Sequence, residues 1–346
     1  QTTSKPILII QTAFIGDTIL ASHFARAVKE QFPESPIHFF LRKGNESVIQ
    51  GLSSVDRVWV WEKQGGKTRN LMKLIGEMRK YDYHAVFNLH RHFNSGLVTL
   101  MMKASHKIGF KQNPLSFFYT NKVNHQIPHY IDQKVPATFW HEVQRNLELL
   151  KILRPNLQIS HDSKKYKPEL PIQQKHLDKI AEYEKVENYF VMAPASVWFT
   201  KAWSEHKYRE LTERLATMGV VYLIGGPGDF DLCERIRKDI PHTVNLCGKL
   251  GLLDSAALMK KARRVFVNDS APLHLASAVN AKTTAIFCST VKEFGYFTLA
   301  DDSVIIETPE KLSCRPCGLH GHKECPQMHF NCAEKIQIET VVNTIS

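Results

Sequence analysis

The chain has 346 residues, of which 43% are hydrophobic and 23% charged, and its formal net charge is +11. This length exceeds one comfortable hydrophobic core and predicts two domains. No apolar run approaches the roughly 18 residues that a membrane span requires, so a transmembrane protein is disfavoured. The first residues enter an apolar strand without a basic region followed by an apolar stretch, so no secretory signal is visible and the cytoplasm is the expected location.

The positive charge, with a pI near 9.2, predicts an anionic partner. Such a partner is a nucleic acid, a phosphorylated glycolipid, an anionic membrane surface or a nucleotide; a solvated basic face is the plain alternative. The basic residues are scattered, and the chain has no zinc-finger array or aromatic-basic RNA-binding signature. We therefore expect no nucleic-acid partner.

Apolar runs alternate with helical patterns along the whole chain, which predicts parallel sheets in an α/β fold. In the first half we predict strands near 6–12, 36–41, 57–61, 84–89 and 106–110, and helices near 17–31, 44–51, 67–79 and 94–103. A polar stretch at 158–168 then interrupts the pattern, so the predicted domains are 1–160 and 161–346. In the second half we predict strands near 188–194, 219–225, 264–268, 282–288 and 303–307, helices near 204–217, 229–239, 254–261 and 271–279, and a closing helix over 333–345.

Two strand-to-helix turns stand out, because ligands of open α/β sheets bind at the carboxyl ends of strands. In the first, Asp17 follows the opening strand. Its carboxylate either caps the helix or acts as a base that takes a proton from an acceptor hydroxyl. The two turns together predict two domains that face one cleft.

The second turn is Asn268-Asp269-Ser270-Ala271-Pro272-Leu273-His274. A capping residue and a proline in the first turn make a well-formed helix start. The same features leave N–H groups free for an anion such as a diphosphate, and His274 offers it a hydrogen bond or a positive charge. We predict anion binding at this turn.

Two further loops belong to the same predicted sheet edge of the second domain. The loop after the strand near 188–194 carries Ser196, Thr200 and Lys201, and the lysine is a candidate phosphate contact. In the next loop, Gly225 and Gly226 allow close backbone approach, while Asp229 binds a ribose or caps a helix. These glycines do not match the dinucleotide fingerprint, so we expect no nicotinamide dehydrogenase.

Four of the seven cysteines fall within nineteen residues: Cys314, Cys317, Cys325 and Cys332. With the histidines between them they offer enough ligands for one structural zinc or iron ion. Disulfides and free thiols are the alternatives. A catalytic metal is not expected.

With these residues in view, the chain resembles glycosyltransferase family 9, the ADP-heptose:lipopolysaccharide heptosyltransferases, over nearly its whole length. The resemblance rests on Ile15-Gly16-Asp17, segments 40–45 and 58–61, Lys107-Ile108-Gly109-Phe110, segment 141–150, Lys201-Ala202-Trp203 and segment 268–274. It implies a GT-B architecture of two Rossmann-like domains with parallel sheets facing a central cleft. The N-terminal domain then binds the acceptor, the C-terminal domain binds an ADP-sugar, and no catalytic cofactor is needed.

The resemblance also implies roles for residues. Asp17 matches the general base, Lys201 and the turn 269–274 match diphosphate contacts, and the loop 225–229 matches the nucleoside side. The basic residues Arg42, Lys43 and Arg91 would meet phosphate or acid groups of the acceptor. The implied activity is inverting transfer of a heptose or a related sugar to a lipopolysaccharide core acceptor, with peripheral association at the inner membrane as an option.

The chain departs from the family pattern at four positions. Ala195, Ala271 and Cys288 stand where the family usually has glycine, and Ala202 stands where it often has arginine. Two alternative functions stay open. The cysteine-rich tail leaves open a protein O-heptosyltransferase with a cysteine metal site, and the lost glycines leave open a non-catalytic protein that binds nucleotide sugars or glycans.

Overall fold

The computed structural model describes residues 4–125, 127 and 141–345. These residues form two compact units, and each unit contains one six-stranded parallel sheet. The first unit covers the described residues up to Pro171, and the second covers those from Ile172 onward. The predicted α/β class with two parallel sheets is confirmed.

The sheet of the first unit has the order β3-β2-β1-β4-β5-β6. Its strands are β1 (Ile7–Ile10), β2 (Ile37–Arg42), β3 (Arg57–Trp61), β4 (Asp82–Asn88), β5 (Lys103–Phe110) and β6 (Asn121–Val123). Its helices are α1 (Ile15–Gln31), α2 (Lys67–Met78), α3 (Phe93–Met101) and α4 (Glu142–Leu150). All four residues of β1 are fully buried, as expected for a central parallel strand that is covered on both faces.

The sheet of the second unit has the order β12-β11-β10-β7-β8-β9, which is the same winding pattern. Its strands are β7 (Tyr189–Ala193), β8 (Val220–Leu223), β9 (Thr243–Asn245), β10 (Arg264–Asn268), β11 (Thr283–Phe287) and β12 (Ser303–Glu307). Its helices are α5 (Gln174–Ile180), α6 (Glu205–Ala216), α7 (Phe230–Arg237), α8 (Leu252–Lys260), α9 (Ala271–Ala278), α10 (Asn331–Glu334) and α11 (Ile338–Val342). Each sheet therefore has a switch point, where the order of the strands across the sheet reverses. It lies between β1 and β4 in the first sheet and between β7 and β10 in the second.

Three sequence-based expectations need correction. The helix expected over 44–51 is a short 3-10 turn at Glu46–Val48, between Gly44 and Gly51, which both have positive φ. The closing helix is divided into α10 and α11, because Gln337 adopts an extended backbone. The three-residue strands β6 and β9 were not predicted, since so short a run has no readable periodicity.

None of the described helices combines the length and apolar character that crossing a membrane requires.

Candidate functional site

The switch point of the first unit carries Asp17. This residue is the third of α1, directly after the loop that leaves β1, and it is half-buried. The preceding N-cap residue, Phe14, has an extended backbone and contributes no side-chain cap. The carboxylate thus lies at the sheet edge where the crevice of a doubly wound sheet forms.

Asn45, in the loop after the neighbouring strand β2, holds this helix start. Its side-chain amide donates to the carbonyl of Ala13 (3.1 Å) and to Thr18 Oγ1 (2.8 Å). Thr18 Oγ1 in turn donates to the carbonyl of Phe14 (3.3 Å). Because Asn45 forms hydrogen bonds to residues on both sides of Asp17, it is a positioning residue. In the sequence it was noted only as the last residue of the segment 40–45.

Cations from the ends of two neighbouring strands lie at the same edge. Arg42 ends β2, and burial lowers its pKa while the Asp17 carboxylate opposes that shift. Lys63 follows β3 and donates to the carbonyl of Thr12 (3.3 Å). Burial lowers its pKa, and so do the charges of Arg42 and Lys67. The result is a positive potential around Asp17 that suits an anionic ligand.

His90, which follows β4, completes this edge. Its Nδ1 lies 2.9 Å from Thr12 Oγ1, and its ring lies 4.4 Å from that of His92. Burial lowers the pKa of His90 to about 3, and the nearby cations add to the shift, so the ring is neutral near pH 7. Sequence analysis missed both Lys63 and His90; their position at strand ends was the available signal.

The other two basic residues predicted for the acceptor have partners within the unit. The ammonium of Lys43 is 2.5 Å from Glu62 Oε2, and both residues lie at the surface. Arg91 Nη1 lies 3.2 Å from His125 Nδ1. Through His125 it reaches a buried ion-pair cluster on α4. Their predicted contact with the acceptor stays a prediction.

In that cluster the Glu142 carboxylate lies 2.9 Å from His125 Nε2 and 2.8 Å from Arg145 Nε. The charges of His125 and Arg145 hold the pKa of Glu142 well below its usual range, against the opposing effect of burial. All three side chains are buried. The segment 141–150, which forms α4 and its N-cap, is therefore an internal element. Its contact with His125 connects it to the loop after β6.

At the switch point of the second unit, Asn268 joins three segments. Its Oδ1 accepts from the Trp203 backbone N–H (3.0 Å) and the Tyr208 hydroxyl (2.8 Å), and its Nδ2 donates to the carbonyl of Pro194 (2.8 Å). The asparagine is fully buried. It fixes the loop after β7 against the end of β10.

Lys201 and Asp269 meet on this frame. The lysine ammonium is 2.7 Å from Asp269 Oδ2, and the same oxygen accepts from Thr290 Oγ1 at 2.6 Å. Asp269 carries negative charge and does not itself attract a diphosphate. The contacts of Asp269 instead orient Lys201, and the two residues form an ion pair at the edge of the sheet.

His274 lies beside this pair. It is buried, and its Nδ1 has no hydrogen-bond partner among the described residues. Burial lowers its pKa to about 4; the Asp269 charge opposes this shift and the Lys201 charge adds to it. The imidazole is therefore neutral near pH 7, which favours a hydrogen bond over a positive charge; its predicted role at an anion stays a prediction. Its ring nitrogen remains available for a hydrogen bond.

The start of α9 completes the predicted anion site. Ser270 is the N-cap residue with an extended backbone, Ala271 begins the helix and Pro272 follows in its first turn. The Ser270 side chain makes no cap bond to a backbone N–H. Ser196 is half-buried in the loop after β7. Pro272 has no N–H group and the N–H of Leu273 donates to the carbonyl of Ser270 (3.0 Å), so anion binding at this helix start stays a prediction.

Contacts within the loop after β8 explain why it contains Gly225, Gly226 and Asp229. Asp229 Oδ2 accepts from the Gly226 backbone N–H at 2.8 Å, so the aspartate caps its own turn. A side chain at Gly225 would collide with Asp229 and would approach Cys247 Sγ at 3.0 Å. The proposed nucleoside contact of this loop stays a prediction.

The cysteine-rich segment, residues 314–332, packs against the loop after β7. Thr200 and His322 exchange hydrogen bonds, with His322 N donating to Thr200 Oγ1 at 2.7 Å. A Cβ added at Gly321 would lie 2.8 Å from Thr200 Oγ1 and 3.1 Å from Lys201 Cγ. The cysteine-rich segment thus packs directly against Thr200 and the side chain of Lys201. No spacing in the sequence indicated this contact.

Arg315 anchors this segment at its start. Its guanidinium donates to the carbonyls of Cys288 (2.6 Å) and Thr290 (2.7 Å) and to Glu307 Oε1 (2.6 Å). These acceptors lie at or beyond the carboxyl ends of β11 and β12. One arginine therefore fixes the cysteine-rich segment to the sheet.

All seven cysteines are free thiols. The cluster Cys314, Cys317, Cys325 and Cys332 forms no disulfide, and across the described ranges no group of three or more His, Cys, Asp or Glu side chains has metal-binding geometry. The structural zinc or iron that the sequence allowed is therefore without support here.

Two doubly wound parallel sheets, each with polar residues at its switch point, are characteristic of the GT-B fold. Residues 71–325 match glycosyltransferase family 9 (heptosyltransferase), and the chain belongs to that family. The chain is 24% identical over 322 residues to lipooligosaccharide heptosyltransferase 2 of Haemophilus influenzae, covering 88% of this chain and 89% of that protein. The predicted family and enzyme class are confirmed.

Solved structures agree on the fold. The family 9 glycosyl transferase of Veillonella parvula superposes with a TM-score of 0.77 at 16% identity, covering 98% of this chain and 95% of that one. The E. coli heptosyltransferase WaaC with ADP gives a TM-score of 0.74 at 18% identity and covers 98% of both chains. The predicted GT-B fold is confirmed.

Proposed function

We propose that this glycosyltransferase moves a heptose from ADP-heptose onto an acceptor of the lipopolysaccharide core, with inversion at the anomeric carbon. Relatives named as lipooligosaccharide and lipopolysaccharide heptosyltransferases support this substrate class. The structural observation that carries the proposal is the Asp17 carboxylate among cations at the switch point of the first unit. The acceptor is assigned to this unit and the donor to the second.

Asp17 suits the role of general base. In the proposed reaction it takes the proton of the acceptor hydroxyl while that oxygen attacks the anomeric carbon of the sugar. The bond from the anomeric carbon to the diphosphate oxygen breaks, and ADP leaves with the electron pair. The positive charges of Arg42 and Lys63 attract phosphate groups of the acceptor, and the Asp17 carboxylate interacts with Arg42 as an opposite charge.

Lys201, His274 and the start of α9 suit the departing diphosphate. The lysine ammonium and the helix N–H groups stabilise the negative charge that grows on the leaving group, so binding and catalysis use the same contacts. The neutral ring of His274 adds a hydrogen bond through its unpartnered Nδ1. No catalytic metal enters this scheme.

The test replaces Asp17 with Asn and measures transfer from ADP-heptose to a deacylated core acceptor, together with calorimetric binding of ADP. We expect turnover to fall by about a hundredfold or more, because general-base catalysis contributes that much, while ADP affinity stays unchanged. Glu34→Gln, an exposed carboxylate change in the same unit, is the control. Unchanged turnover in the Asp17 variant contradicts the proposal.

The acceptor is the finer part of the proposal. A phosphorylated glycolipid matches the cations around Asp17, and the reaction then takes place at the cytoplasmic face of the inner membrane. Transfer assays with a core oligosaccharide and with an unmodified protein acceptor separate this acceptor from a protein substrate. Transfer only to protein would replace the acceptor and leave the donor and base assignments in place.

A further inference from the structure

The first unit exposes an unusual concentration of aromatic surface. Phe93 is 55% exposed, Phe117 65% and Phe118 50%. The rings of Phe117 and Phe118 contact each other, with centroids 4.0 Å apart. Large apolar side chains that are grouped at a surface indicate an interaction site, whereas isolated ones need no explanation.

These aromatic residues lie on fixed backbone. Asn113 Nδ2 donates to the carbonyls of His90 (3.1 Å) and His92 (3.0 Å), which precede α3. The side chain of Ser116 donates to the carbonyl of Lys111 (2.7 Å), which closes the loop that carries Phe117 and Phe118. The start of α3 and this loop are therefore held against each other, and the exposed rings are presented by rigid elements.

The surrounding chain is basic throughout. Between Asp82 and Asp132 the sequence contains no Asp or Glu and five Lys or Arg residues. Lys122 lies in the edge strand β6, and Lys111 directly follows β5, where its backbone N–H donates to the carbonyl of Val123 at 2.8 Å. Both lysines are exposed, and neither forms an ion pair with any residue that the structure describes.

We infer that Phe93, Phe117, Phe118, Lys111 and Lys122, here called the aromatic-basic patch, dock the protein on an anionic membrane surface. Aromatic rings insert at the boundary between headgroups and acyl chains, and lysines next to them attract anionic headgroups. A single-stranded nucleic acid would instead stack its bases on open ring faces, whereas Phe117 and Phe118 pack against each other. The inference deepens the proposed function and rests on its placing of the reaction at a membrane face; it assigns the surface that docks there and does not depend on the identity of the sugar.

The test measures sedimentation of the full chain with vesicles of phosphatidylethanolamine and phosphatidylglycerol, and with vesicles of phosphatidylcholine alone. We expect selective binding to the anionic vesicles. The double variants Phe117→Ser/Phe118→Ser and Lys111→Glu/Lys122→Glu should each weaken it by about tenfold or more, since apolar insertion and charge attraction both contribute. The matched control is Lys175→Glu/Leu177→Ser on α5, where both residues are also exposed.

Thermal unfolding and ADP binding confirm that each variant is folded. Transfer to a deacylated, water-soluble acceptor should be unchanged in the patch variants, so failure of docking and failure of the proposed function give different results. Equal binding of the wild type to neutral and anionic vesicles overturns the inference. So does wild-type vesicle binding by both patch variants, or loss of binding in the α5 control alone.

Discussion

The ammonium of Lys201 lies 2.7 Å from Asp269 Oδ2, and the same oxygen accepts from Thr290 at 2.6 Å. Lys201 follows β7, Asp269 follows β10, and Thr290 follows β11. Three strand ends of the second sheet therefore converge on one carboxylate oxygen. The ion pair with Asp269 and the burial of most of its side chain both fix the orientation of Lys201. Its ammonium is therefore a positioned charge, unlike that of a mobile surface lysine.

If Lys201 holds the donor diphosphate, Lys201→Ala should weaken ADP binding by about 10- to 100-fold, as expected for the loss of a charge-assisted hydrogen bond. The measurement is calorimetry with ADP, UDP, GDP and CDP on both proteins. Lys185→Ala, an exposed lysine of the same unit, is the control. Selective ADP binding that the substitution leaves intact would remove Lys201 from the donor site.

The packing of the cysteine-rich segment against Lys201 is tested by a pair of glycine variants. Gly321→Ala should lower ADP affinity by roughly tenfold, because a Cβ at that position would push against Thr200 and Lys201 Cγ and displace the ammonium. Gly318→Ala is the matched control: its φ of +67° is close to the +73° of Gly321, but nothing lies within 4 Å of its added Cβ. Equal affinities in the two variants would contradict the contact, since backbone strain is common to both.

The buried ion pairs of α4 predict a large difference between two glutamates on one helix. Glu142→Gln should lower the free energy of unfolding of the first unit by about 3–5 kcal/mol, because Arg145 remains buried without its carboxylate. Glu148→Gln removes only a partly exposed pair with Lys151 and should cost less than about 1 kcal/mol. Urea unfolding monitored by tryptophan fluorescence makes the comparison, and similar losses would show that the cluster adds nothing specific.

Buried histidines predict a loss of stability in acid. The pKa values of His23 and His90 are lowered to about 3, and those of His38 and His274 to about 4, in each case mainly by burial. Below pH 6.5 the unfolded chain binds protons that the folded chain does not, so stability falls as the pH falls towards 4.

At pH 5 the loss from His274 alone is about 2 kcal/mol. Urea midpoints at pH 7.5 and pH 5 measure the combined effect, and His274→Gln should show a smaller difference between the two pH values than the wild type. Equal midpoints for the wild type at both pH values would contradict the burial of these rings.

Part of the site was readable from the sequence because it lies next to strand ends. Asp17, Lys201 and the turn that begins at Asn268 each follow a buried apolar run, and that position alone indicates the functional edge of a parallel sheet. The partners of these residues were not readable. Asn45, Thr290 and Gly321 reach them across long chain separations, and no local pattern encodes such contacts.

The sequence by itself determined the α/β class, the succession of most strands and helices, and the family. These features depend on hydrophobic periodicity and turn motifs, which are local properties of the sequence. Only the tertiary structure decided which charges act together. It paired Lys43 with Glu62 at the surface, brought Lys63 and His90 together at Thr12 in the loop before α1, and buried His274 so that its ring stays neutral. The physical reason is that a side chain's protonation and ion pairing depend on burial and on neighbouring strands, which chain order does not reveal.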